Sequence, residues 1–212
     1  PVCLRDRGGT VVGESIRCPF HHWEFDAQSG QCTQIPYAKR IPPRAEIRRW
    51  PVAERNGVVL AFHHPERKAP HFEIPDLPEL ADPAWLPLDV NHWTVRANWL
   101  DMNENCVDMA HFKYVHGTLT IPPTTAEIDG TTHIARSEFR MKMRGGEGDA
   151  VLSTCDHGPG VQVVRMTELI DSLMLNTCTP IDAEHTDVGF GYSVKAAGDE
   201  RKQRLAAALV KD

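Results

Sequence analysis

Apolar and polar positions change rhythm three times along the 212 residues. The first third carries short apolar runs between turn residues, the pattern of small β elements. Thr10-Val11-Val12 is bracketed by Gly9 and Gly13, and Asp26-Ala27-Gln28-Ser29-Gly30 reads as a hairpin turn returning to Cys32 and Ile35. Glu46–Val52 and Gly57–Phe62 flank Asn56-Gly57, a strong two-residue hairpin signal. Prolines 65, 70, 75, 78, 83 and 87 then interrupt the chain. So dense a series joins neither a helix nor a central strand, so this stretch predicts a linker. His92–Val95 predicts a short strand, and Asn98 with Asp101 three residues on predicts a helix start. Trp99, Leu100, Cys106, Val107, Ala110 and Tyr114 supply apolar faces, and Gly117 predicts the stop. From Pro122-Pro123 the rhythm becomes that of strands: 131–144, 150–155, 161–169, 173–180 and 188–194, with a turn over Gly145–Asp149. Regular short strands with turns predict an antiparallel sheet. Its inner face, rich in Met, Phe and Leu, is expected to line an apolar pocket. Residues 199–212 begin an amphipathic helical pattern.

Composition narrows the class. Hydrophobic residues at 41% and charged residues at 25% describe an ordinary globular protein. A formal net charge of -6 and no basic stripe argue against a nucleic-acid partner. No apolar run is long enough to span a bilayer, and no charged-then-apolar leader opens the chain. Six scattered cysteines predict a reducing, cytoplasmic setting. Position 1 is Pro and the last segment stops in mid-pattern, so both ends read as cut.

Two stretches carry candidate chemistry. Asn105–Gly117, read as one helix, places Asp108 and His111 three apart on one face. His116 lies five beyond His111, too far round an ideal helix, but Gly117 lets the helix unwind there and the imidazole turn back. Two histidines and a carboxylate at open positions form the facial arrangement that holds non-haem Fe(II). A histidine on a helix is more often a plain surface residue, so this stretch alone leaves both readings open. The second stretch is Cys18-Pro19-Phe20-His21-His22-Trp23-Glu24-Phe25-Asp26. It puts a thiolate and an imidazole on one tight loop, as a metal knuckle requires. His63-His64 lacks patterned partners, and His133, His157 and His185 stay unassigned.

Cys18–Asp26 resembles the second half of a Rieske [2Fe–2S] site, and Glu104-Asn105-x-x-Asp108-x-x-His111-x4-His116 resembles the iron motif of Rieske non-haem iron oxygenases. Asp108-Met109-Ala110-His111-Phe112 and Ile35-Pro36-Tyr37-Ala38 are similar to the steroid-ring hydroxylase branch. The resemblance implies an α+β chain: a small all-β Rieske domain over 1–66, a Pro-rich linker over 67–91, and a helix-grip (START-like) antiparallel-sheet catalytic domain over 92–212. It implies Cys18 and His21 on the cluster, His111 and His116 on mononuclear Fe(II), and Asp108 as the residue linking an iron-bound His to a cluster His of a neighbouring subunit. It implies the oxygenase component of such a system, hydroxylating a small hydrophobic ring substrate with O2, as a homotrimer, with electrons from an NAD(P)H-dependent reductase or ferredoxin. Two departures stand beside it. Cys3 is the sole upstream thiol, and Arg5 stands where the family's first Cys-x-His pair needs His. The family's third iron ligand, an Asp on a late helix, is expected beyond Asp212.

Those departures keep another class in view, a metal-free or vestigial START-like module for hydrophobic ligands. A zinc protein built on Cys18 and His21 is a further alternative, and a plain Rieske electron carrier needs neither His111 nor His116.

Overall fold

The computed structural model describes residues 8–143, 146–200 and 203–204. It divides into two compact units, residues 1–54 with 58–70, and residues 55–57 with 71–212.

The first unit holds a four-stranded antiparallel sheet in sequence order: β1 (Thr10–Val12), β2 (Ser15–Arg17), β3 (Glu24–Asp26) and β4 (Cys32–Gln34). Phe25, Cys32 and Ile35 form its buried centre, with Ile16, Cys18, Trp23, Ala45 and Ile47 against them. The predicted turn after β3 is closed by Asp26, whose Oδ1 accepts from the Ser29 N–H and hydroxyl, both at 2.6 Å. Gly30 ends it with φ +71°, and a Cβ there would sit 2.5 Å from the Ile47 carbonyl oxygen, so only glycine fits. The hairpin at Asn56-Gly57 forms as its sequence signals, between β5 (Val52–Arg55) and β6 (Val58–Ala61). Both turn residues have positive φ, 56° and 78°, as a primed turn requires.

The second unit is a seven-stranded antiparallel sheet. Its strands are β7 (Asp89–Val95), β8 (Thr124–Asp129), β9 (Thr132–Met143), β10 (Gly146–His157), β11 (Val161–Thr167), β12 (Ser172–Pro180) and β13 (Thr186–Val194). They lie in the order β7-β13-β12-β11-β10-β9-β8. Between β7 and β8 the chain leaves the sheet to form α1 (Trp99–Glu104) and α2 (Ala110–Tyr114). Alternation of side chains assigns the faces. His133, Asp156, Gln162, Asn176 and Phe190 face one another in register across β9 to β13. Ser137, on the same face, meets Met109 of the helical segment, Oγ to Sδ 3.6 Å. The helices therefore cover this front face.

The back face holds the most buried side chains, Leu173, Leu175 and Val163, at 0–2% exposure. The proline-rich stretch lies on it as a strap. Leu77 is buried, Pro78–Ala81 forms one 3-10 turn, and Arg165 holds Glu79 through both carboxylate oxygens. Ser193 Oγ donates to the Leu86 carbonyl at 2.6 Å.

Several expectations shift. The single helix expected over 105–117 is one short helix, Ala110–Tyr114, with Asn105–Met109 turning between it and α1. Gly146–Asp149, expected as a turn, is strand paired with Arg140–Met143; Arg144 and Gly145 lie outside the described residues. The polar run Thr124–Asp129 is a strand that apolar alternation did not signal. Most of the helix expected over 199–212, and Cys3 with Arg5, also lie outside the described residues.

Candidate metal centre

Asn98 opens α1, its side-chain oxygen accepting from the Leu100 N–H at 2.9 Å. The chain then turns, and Asp108 Oδ1 accepts from the Ala110 N–H at 2.9 Å, ordering the start of α2. At the other end Val115 N–H reaches the His111 carbonyl at 2.7 Å, and Gly117 takes φ +74°. The helix unwinds there and His116 swings back. The rings of His111 and His116 end 5.1 Å apart between centroids, at 71° to one another. With imidazole–metal bonds of about 2.1 Å, two rings on one ion at a right angle have centroids roughly 4.5–5 Å apart. The observed separation is close to that range. His111 Nδ1 is engaged by the Asp108 backbone carbonyl, which leaves Nε2 for a ligand. Burial and the neighbouring His111 push the His116 imidazole below its ordinary value, toward the neutral form that binds metal. The Asp108 carboxylate stands 3.8 Å from His111 Nδ1, beyond hydrogen-bond reach, and is 55% exposed.

Cys18 and His21 sit on a loop between β2 and β3. It is closed by Cys18 N–H to the Trp23 carbonyl, 2.8 Å, and His22 N–H to the Cys18 carbonyl, 3.0 Å. His22 takes φ 59° to complete the reversal. His21 is exposed and faces Tyr37 edge-on at 6.3 Å, and Tyr37 accepts from Trp23 Nε1 at 2.8 Å. The thiol and imidazole are the donor types of one half of a Rieske cluster. Among the described residues, no three His, Cys, Asp or Glu side chains converge as one metal site.

Sequence reading missed a second polar group under α1. His133 and His185, read as without partners, are paired: His133 Nδ1 lies 2.8 Å from Asp156 Oδ2, and His185 Nδ1 lies 3.0 Å from Asp182 Oδ1. Asp156 Oδ1 also accepts from Gln162 Nε2 at 2.9 Å and from the Cys106 thiol at 3.4 Å. Burial, then the Asp156 charge, pushes that thiol up to about 12. Strand register brings His133, Asp156 and Gln162 together, and the β9–β10 ladder runs unbroken from Met143↔Gly146 to His133↔Asp156.

An all-β unit with a Cys-x-x-His loop, followed by an antiparallel sheet carrying paired histidines on its helical face, defines the Rieske oxygenase class. Comparisons with known proteins agree. Residues 2–51 match the Rieske [2Fe-2S] domain, and residues 61–212 match the 3-ketosteroid 9alpha-hydroxylase C-terminal domain. The chain belongs to that 3-ketosteroid 9alpha-hydroxylase family. It is 42% identical over 133 residues to a probable 3-ketosteroid-9-alpha-monooxygenase oxygenase component of Rhodococcus rhodochrous, covering 61% of this chain and 33% of that protein. A second such Rhodococcus rhodochrous component is 29% identical over 95% of this chain and 57% of its own length. Cholesterol 7-desaturase of Xenopus laevis is 37% identical over 51% of this chain and 24% of its own length. The chain therefore spans between a quarter and somewhat over half of these relatives. Dicamba monooxygenase bound to 3,6-dichlorosalicylic acid shares the fold, with TM-score 0.76 at 21% identity over 97% of this chain and 67% of that one. Dicamba monooxygenase with non-heme iron and dicamba superposes at TM-score 0.67 and 20% identity, over 91% and 62%.

Proposed function

We propose that this chain is part of the oxygenase component of a Rieske non-haem iron system that hydroxylates a hydrophobic, steroid-like ring. The observation that carries this is the convergence of His111 and His116 at 5.1 Å on the helical face of the sheet. His111 and His116 are the proposed iron ligands, Cys18 and His21 the proposed cluster ligands, and Asp108 the proposed link between centres. Bound there, iron and a [2Fe–2S] cluster would supply the O2 activation and one-electron delivery that attack on an unactivated ring requires.

The chain's own groups prepare for this. The Asp108 carbonyl fixes the His111 ring so that Nε2 is presented. Met109, Phe112 and Phe139 keep that neighbourhood apolar, with the two Phe rings 5.9 Å apart. The relatives' names support a steroid or sterol as substrate. A separate reductase or ferredoxin as donor, and a homotrimer that brings the centres of different subunits together, complete the proposal. The five described cysteines are free thiols, in keeping with a reducing cytoplasm. Matches to both domain families disfavour a metal-free ligand-binding module.

Metal and acid-labile sulfide analysis of the reconstituted protein tests the assignment. His111→Ala or His116→Ala is expected to lose about one iron per chain and keep the sulfide. Cys18→Ser is expected to lose the sulfide together with about two irons and to keep the remaining one. Loss of all iron and all sulfide from either variant, or zinc as the sole metal, excludes the two-centre reading.

A further inference from the structure

Residues 36–44 follow β4 and are exposed at every position. Pro36, Pro42 and Pro43 fix backbone dihedrals along the stretch. A turn closes each end: the Ala38 N–H reaches the Ile35 carbonyl at 3.1 Å, and the Ala45 N–H reaches the Pro42 carbonyl at 3.0 Å. So stiff a segment has little conformational freedom left to lose when it meets a partner. It also borders the proposed cluster loop. Trp23 Nε1 donates to the Tyr37 hydroxyl at 2.8 Å, and the Tyr37 ring stands edge-on to His21 at 6.3 Å.

The side chains of this stretch do little for the fold. Tyr37 is 67% exposed and Ile41 39%. Lys39, Arg40 and Arg44 are its cations, and it contains no acid. Among the described residues these three side chains have no ion-pair or hydrogen-bond partner. By contrast, Arg17 holds Glu24, Lys68 holds Glu66, Arg48 lies over the Trp50 ring, and Arg49 donates to the Gln28 carbonyl. Unpaired charge around a small apolar centre is the make-up of a transient contact guided by electrostatics. The core of a permanent subunit interface is instead depleted of charge. A formal net charge of -6 disfavours a nucleic acid on the same cations.

We infer that residues 36–44 are the docking surface for an acidic electron-donor protein, whose carboxylates meet Lys39, Arg40 and Arg44 around Tyr37 and Ile41. This deepens the proposed function, on which it rests, by naming the chemistry and the seat of the donor. Each encounter moves one electron. The donor is oxidised, the cluster proposed on Cys18 and His21 is reduced, and no bond is made or broken. Opposite charge speeds the encounter, and the small contact lets the spent donor leave.

The test follows cluster reduction in the reconstituted protein by stopped-flow absorbance. The probe is a reduced plant-type [2Fe–2S] ferredoxin of net negative charge, whose lower potential makes transfer downhill. The triple variant Lys39→Gln, Arg40→Gln, Arg44→Gln is compared with Arg96→Gln, Arg136→Gln, Arg140→Gln, which removes the same charge from exposed, ion-paired sites. At low salt the first variant is expected to be reduced about tenfold more slowly than wild type, and the second within about twofold of it. Rising salt is expected to slow the wild type until the difference disappears. Photoreduced 5-deazariboflavin, small and uncharged, is expected to reduce all three proteins alike. A salt-independent rate, a first variant as fast as wild type, or two variants slowed equally overturns the inference. Equal slowing of the first variant toward deazariboflavin also overturns it, by placing the effect in the cluster. So does dissociation of that variant's oligomer in sedimentation, which would make the stretch a contact between copies. The iron and sulfide analysis keeps the two readings apart: without a cluster the oxygenase reading fails, whereas a cluster reduced without help from these cations fails this inference alone.

Discussion

Asp108 combines two roles that substitution can separate. Its side chain orders the first turn of α2 through the Ala110 N–H, and its charge is the proposed link between centres. Asp108→Ala removes both, and loss of such a cap costs about 1 kcal/mol. Asp108→Asn keeps an acceptor oxygen and removes only the charge. Denaturant melts of the two variants are expected to differ by about that amount, while turnover in the full-length parent falls in both. Full turnover in Asp108→Asn would leave the residue a purely structural role. Cys106 gives a chemical readout of the neighbouring cluster. With its thiol pushed up to about 12, it is expected to resist iodoacetamide at pH 8 in the folded protein, whereas the exposed thiols of the unfolded chain react. Mass spectrometry of the alkylated peptides checks this. The residues proposed for the metal sites could be named one by one, since a Cys-x-x-His loop and an Asp-x-x-His-x4-His run are local. The His133–Asp156 pair could not, because its partners are 23 positions apart and meet only across a ladder.

At the scale of elements, strands that alternate strictly were read close to their ends, and errors arose where tertiary packing outweighed composition. Thr124–Asp129 is polar and mostly exposed, yet pairing with β9 makes it a strand. Gly146 and Gly148 suggested a turn, yet the β9–β10 ladder continues through both. The proline-rich stretch was read as a linker, and Leu77 and Glu79 fasten it to the back of the sheet. That attachment has a pH signature. Hydrogen bonding to Arg165 holds the Glu79 carboxyl below its ordinary value, 4.5. The unfolded chain therefore takes up the proton first as pH falls, and the contribution is present above 4.5 and lost below it. Glu79→Gln is expected to reduce stability by roughly 1 kcal/mol at pH 7 and to flatten acid unfolding, as followed by circular dichroism. Gly158 is the tighter constraint. It has φ +64°, and a Cβ there would meet the Phe72 ring at 2.7 Å. Gly158→Ala is expected to cost about 1–3 kcal/mol, with Phe72→Leu recovering part of it.

The molecule as a whole pairs a well-filled unit with a sparse one. The second unit buries Leu173, Leu175, Val163 and Val194 almost completely. Among its described residues the first has three buried apolar side chains, Phe25, Cys32 and Ile35. A β unit so thinly filled leans on bound metal for stability. Calorimetry of the cluster-loaded protein is expected to show two transitions, and removal of the cluster is expected to lower one and leave the other in place. A single transition insensitive to metal would contradict this.

Strand β7 has its neighbour about 90 residues downstream, in β13. On a ribosome adding about 5–20 residues per second, β7 waits roughly 5–20 s for that neighbour to be made. During that interval α1 and α2 have already emerged, with no sheet yet beneath them. The His111–His116 pair proposed as a metal site is therefore made well before the last strand of the sheet it lies on.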